Sequence, residues 1–149
     1  MIKTWLIPIT TLTLITIILL TVNVMVLIDS IILENYLKQK SKAFLADSFI
    51  SDVFESFSTI LDRSVYSSEG NFTVLKQLLE EEAGEFMNRV IETREFFNEY
   101  GILVNFNYTI NYAENCFIEI DVKAYVNDLE GLFSFERNHR VSRTLEEGL

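Results

Sequence analysis

Proline and glycine are almost missing from the first half of this chain. There is one proline, Pro8, and five glycines in 149 residues, and neither type occurs between Ile9 and Glu69. These residues are the strongest interrupters of a helix, so their absence permits one very long helix and leaves no turn punctuation for short strands there. Cysteine is as scarce. Cys116 stands alone, which excludes an internal disulfide. Its place in an apolar alternation marks it as a buried, inert thiol. One histidine, His139, leaves no Cys and His set at zinc-ligand spacing.

Positive charge is also in short supply. Twelve Lys and Arg face 22 Asp and Glu, for a net charge of −10. The deficit is uneven. Residues 1–28 hold one charge, Lys3, and the remainder holds eleven Lys and Arg against 22 acids, net −11. An acidic body of this kind repels phosphate, so nucleic acid and anionic lipid headgroups are excluded as its partners.

The first stretch is rich in apolar residues. Leu6 to Ile28 runs 23 residues without a charge. At a rise of about 1.5 Å per residue, that is roughly 35 Å of helix, enough to cross a hydrocarbon core of about 30 Å. Residues 1–28 therefore read as a single-pass membrane anchor and 29–149 as a separate α+β domain. A cleaved signal peptide would have a shorter apolar core and small residues at its end, whereas the exit here reads Val26-Leu27-Ile28-Asp29-Ser30.

Counting positive residues gives Lys38, Lys40 and Lys42 after the span against Lys3 before it, which argues for a cytoplasmic domain. Asn71-Phe72-Thr73 and Asn107-Tyr108-Thr109 argue the other way. Both fit the glycosylation acceptor pattern, making Asn71 and Asn107 candidate sites on an extracytoplasmic domain. With almost nothing before the span, we take the N-terminus as cytoplasmic and the domain as outside.

Past Asp29, apolar residues at Leu33, Leu37, Phe44, Phe49, Val53, Phe57, Ile60 and Leu61 keep mostly three-, four- and seven-residue steps. This is the stripe of an amphipathic helix, so the span is expected to continue unbroken over 29–64. Its thinnest part is Lys38-Gln39-Lys40-Ser41. A loop at Ser67 to Asn71 precedes a second helix over 73–100. Thr73 is the expected cap, with Val74, Leu75, Leu78, Leu79, Phe86, Met87, Val90, Ile91 and Phe97 inside and Gly101 at the end. Glu80-Glu81-Glu82 reads as solvated surface.

The period then becomes two. Ile102 to Tyr112, Cys116 to Val126 and Leu132 to Leu145 alternate apolar with polar residues, separated by short turns at Ala113-Glu114-Asn115 and at 127–131. That predicts a three-stranded antiparallel meander over 102–145, with one greasy face covered by the helices.

Nothing in the chain frames a nucleophile, a phosphate loop or a metal. No catalytic, cofactor-binding or metal-ligating residue is assigned, and the chain reads as non-enzymatic. Two residue sets remain. Arg137, His139, Arg140 and Arg143 form a local basic run, which either offsets nearby acids or docks an acidic partner. Thr10, Thr13, Thr21 and Asn23 bring hydroxyls and an amide into the span, with Thr16 adjoining. They either bond to neighbouring spans or, for the threonines, bond back to their own helix.

A long N-terminal helix, apolar in its first half and amphipathic in its second, followed by an antiparallel sheet, resembles the type IV pilin family and its pseudopilin and archaeal pilin-like relatives. The Ile, Asn and Glu richness is similar to the archaeal members. The resemblance is one of architecture. The family's basic leader and early helix Glu have no counterpart, for the start reads Met1-Ile-Lys-Thr-Trp5-Leu-Ile-Pro8 and no acid precedes Asp29. It implies a structural or accessory subunit of a pilus-like surface assembly. Its partners would be membrane lipid and other anchored subunits, copies of itself included, joined through the span and any uncovered part of the Phe44-to-Phe57 stripe. The rival expectation is an extracytoplasmic ligand-binding or sensor module, or an accessory subunit of a membrane complex.

Overall fold

The computed structural model of the protein describes residues 3–113 and 116–145, with side chains from Thr10 onward. Two helices precede three strands: α1 (Lys3–Ser67), α2 (Phe72–Glu99), β1 (Ile102–Tyr112), β2 (Phe117–Asp128) and β3 (Ser134–Thr144). The expected α+β architecture is present. Helix α1 is 65 residues long and continues through Lys38 to Ser41 without a break. The expected turn residues Glu114 and Asn115, and residues 146–149, lie outside the described residues.

The chain divides into two units, Met1–Lys40 and Ser41–Leu149. In the first, every described side chain from Thr10 to Lys38 is exposed. Leu12, Ile17, Leu20, Met25, Val26 and Ile32 are among the apolar ones. A helix with apolar residues on all sides and no core of its own lacks the amphipathic pattern of a soluble surface helix. This segment is long and apolar enough to cross a membrane.

The second unit closes a core without it. Its sheet has the order β1-β2-β3, all antiparallel. One row of the register runs Val104, Val126, Phe135 and another Tyr108, Val122, His139. The face carrying these rows is covered. Phe57 of α1 meets Tyr108 of β1 and Phe86 of α2, with ring centroids 5.3 Å apart in both pairs. Phe49 stacks on Phe97 at 4.6 Å and meets Phe106 edge-on at 5.7 Å. Phe57, Leu61, Leu75, Leu79, Ile118, Ile120 and Val122 are fully buried. Each contributes about 1.5–3 kcal/mol by leaving water.

Several expectations are corrected. The cap of α2 is Asn71, whose side-chain oxygen accepts from the Thr73 and Val74 amides at 3.0 and 3.2 Å. Asparagine reaches these amides from an extended backbone just outside the first turn, while Thr73 already lies within it. Val74 and Ile91 are exposed, and Ala83 takes a buried place on α2. Leu33, Leu37 and Phe44 are exposed, and the covered stripe instead begins at Ala46 and Ile50. Cys116 is half-buried and has φ +57 just ahead of β2 rather than lying inside the alternation. Gly101 behaves as expected, with φ +73 past the end of α2.

Candidate functional site

Three surfaces hold the candidate residues. The first is the apolar part of α1. Thr13, Thr16 and Thr21 donate their hydroxyls to the carbonyls of Thr10, Leu12 and Ile17 at 2.8–2.9 Å. Their protons are therefore satisfied within their own helix. Asn23 differs, because its amide makes no hydrogen bond among the described residues. It sits in a shallow apolar concavity with Leu20, Val24 and Leu27. Thr16, Leu20, Asn23, Leu27 and Ser30 are spaced by alternating steps of four and three. That is the spacing of a seam between packed helices, with an amide at its middle position.

The second surface is β3. Arg137, His139 and Arg143 project toward α1, and Arg140 lies on the opposite face of the sheet, as the alternation requires. Each has a partner. Arg137 Nε meets Asp47 at 3.0 Å, and Arg143 grips both oxygens of Asp62 at 2.6 and 3.3 Å. The His139 ring stacks on Phe54 at 5.1 Å, and its Nε2 lies 3.2 Å from the Ser58 hydroxyl. Arg140 bonds Asp121 at 3.2 Å and lies 3.6 Å from Glu119. The hydrogen bond from Arg140 to Asp121, with the Glu119 and Asp121 charges, raises its affinity for its proton. The four residues thus do not form one patch. They are fasteners, two of them arginines that pin the sheet edge to α1.

The third surface was hidden in the sequence. A groove of about 760 Å³ lies between α1 and α2. Asp52, Glu55 and Arg63 line one wall, Glu82, Glu85 and Arg89 the other, with Ile60 and Phe86 also in its lining. Arg63 and Glu82 approach to 3.6 Å across it, too far for a hydrogen bond, and the nearer Glu82 oxygen is buried with no hydrogen-bond partner. The charges recur at helical spacing on both sequences and so read as solvated faces. Only the pairing of the two helices turns them into a groove.

Two further ionisable clusters escaped sequence reading. Lys42 meets Asp128 at 3.2 Å and Glu130 at 3.7 Å, with side-chain exposures of 12% for Lys42 and 0% for Asp128. The other Asp128 oxygen accepts from the Leu132 amide at 3.2 Å, so the carboxylate also shapes the β2–β3 turn. The Gly101 carbonyl accepts from the Leu129 amide at 2.8 Å, tying the end of α2 to the same place. At Tyr112, burial first and then the Glu80 carboxylate, 3.4 Å from the hydroxyl, push the phenol up to about 12. The Lys76 ammonium lies 4.5 Å from the same ring's centre.

Asn71 and Asn107 are both exposed, the first at the start of α2 and the second in the middle of β1. No group of three or more potential metal ligands occurs among the described residues. Comparison with the models of known protein families, with characterised proteins and with solved structures gave no match.

Proposed function

We propose that the chain is a non-enzymatic, membrane-anchored surface protein of pilin-like build, a structural or accessory subunit of a cell-surface assembly. One observation carries this reading. Helix α1 joins a segment exposed and apolar on all sides to a domain that completes its own core without that segment. Such a surface is stable in lipid or against other helices and unstable in water. The N-terminus lies on the cytoplasmic side and the domain outside, and the exposure of Asn71 and Asn107 accords with that placement. The partners are lipid and other anchored subunits, copies of this chain among them. Asn23 favours such copies, because an amide offers both a donor and an acceptor to its own kind.

The groove between α1 and α2 favours a second reading, a module that binds a ligand outside the membrane. Its net charge, four acids against two arginines, suits a cationic ligand.

The test is fractionation of native membranes with negative-stain microscopy of the detergent extract. The protein should resist alkaline extraction, its domain should be cut by protease added to intact cells, and it should appear in multimeric particles or filaments. Release of a monomer by alkali would overturn the anchored, assembling reading. Monomers that stay in the membrane and bind a cationic ligand would favour the second.

A further inference from the structure

We infer that Asn71 is a site of N-linked glycosylation in the folded protein and that Asn107 accepts sugar only in the unfolded chain. This rests on the proposed placement of the domain outside the cell. The two acceptor triplets are equal in sequence and unequal in the fold.

Asn71 precedes α2, in a turn where Glu69 and Gly70 both have positive φ. Asn71 and Thr73 are exposed. The Asn71 side-chain oxygen is occupied by the Thr73 and Val74 amides, while its Nδ2 makes no hydrogen bond among the described residues. The nitrogen is the atom that takes the sugar. Its bond to the anomeric carbon of a polyprenyl-diphosphate-linked oligosaccharide forms as that carbon's bond to the diphosphate oxygen breaks. The amide loses one proton and the lipid diphosphate leaves. The oxygen remains an acceptor afterwards, so the helix cap survives the modification. The site also lies at the end of the domain where α1 finishes, remote in sequence from Ser41, where the domain begins.

Asn107 is exposed but sits within β1, opposite Lys123 of β2. Its neighbours Phe106 and Tyr108 pack into the core against Phe49 and Phe57. Bending the chain there to admit a transferase requires opening the β1–β2 ladder and withdrawing both rings.

The experiment uses the purified full chain in detergent, a lipid-linked oligosaccharide, and an oligosaccharyltransferase that modifies synthetic peptides 67–77 and 103–113 at comparable rates. Glycopeptide mass spectrometry should find the folded chain modified at Asn71 at least ten times faster than at Asn107, and the urea-unfolded chain modified at both. Thr73→Ala should abolish modification of the folded chain, and Thr109→Ala should leave it unchanged. Comparable rates at the two sites in the folded chain, or no reaction at Asn71, would overturn the inference. The native protein is examined in parallel for glycan and for protease access from outside the cell. A protected domain without sugar would defeat the outside placement. An accessible domain without sugar at Asn71 would defeat this inference alone.

Discussion

Lys42 lies on the side of α1 that faces the core, four residues before Ala46 and eleven before Val53. A charge on that face is stable only with a partner, and Asp128 supplies it. Removing one member of a buried pair strands the other, at a cost of about 3–5 kcal/mol. Lys42→Met should therefore lower the domain's unfolding free energy, read from urea denaturation, by that amount. Lys42→Met with Asp128→Asn should recover much of it, because an asparagine oxygen can still accept from the Leu132 amide. Equal losses in the single and double variants would show that the cost does not come from a stranded Asp128 charge. Tyr112 gives a pH prediction. Its phenol titrates near 12 in the folded chain and near 10 when unfolded. Between those values the folded chain keeps a proton that the unfolded chain has lost. The stabilisation is complete below pH 10 and falls as pH rises toward 12. Tyr112→Phe should flatten that part of the stability–pH curve, measured by thermal unfolding across the alkaline range.

Within α1, Ser51 offers the sharpest probe of a single element. It is exposed, and its hydroxyl bonds back to the Asp47 carbonyl at 2.9 Å. A proline there removes the amide that reaches Asp47 and drives its ring into the same carbonyl, costing about 3 kcal/mol or more. Ser51→Pro should unfold the domain that begins at Ser41 at markedly lower urea. Ser51→Ala should change stability by less than about 0.5 kcal/mol. Wild-type behaviour in the proline variant would mean that this stretch is not helical. The elements themselves were legible because period carries them. Steps of three and four run from Ala46 to Leu61, and steps of two run from Ile102 to Tyr112. Period says little about what covers a stripe, so Phe44 reads like Phe57 although it is 74% exposed. Nor does it choose between neighbouring capping residues, and Asn71 rather than Thr73 takes the amides. Lys42 was detectable in principle, since it continues the buried steps back from Val53 through Phe49 and Ala46. The groove was not, because it arises only where α1 and α2 meet.

For the whole molecule the decisive matter is what surrounds the apolar part of α1. Were that part alone in lipid, Thr13, Thr16 and Thr21 would each keep the bond to its own helix. The Asn23 amide would have no partner there, and an unpaired amide in hydrocarbon has no water to turn to. If a second copy answers it, the seam through Leu20, Asn23 and Leu27 is where the two helices touch, and the reciprocal amide contact adds about 0.6–2 kcal/mol in all. Asn23→Leu should then raise the dissociation constant of the detergent-solubilised oligomer by about 3- to 30-fold, read by analytical ultracentrifugation. Crosslinking distinguishes this seam from the threonine side of the helix. On a Cys116→Ser background, a cysteine at Leu20 should crosslink more than one at Leu12. If Thr21→Cys exceeds both, the contact runs along Thr10 and Thr21 instead; Thr13 does not discriminate, since it lies seven residues before Leu20 on the same seam. Equal yields at all three positions, with Asn23→Leu leaving the oligomer intact, would mean that no copy of this helix packs along it and that assembly must come from the Ser41–Leu149 unit.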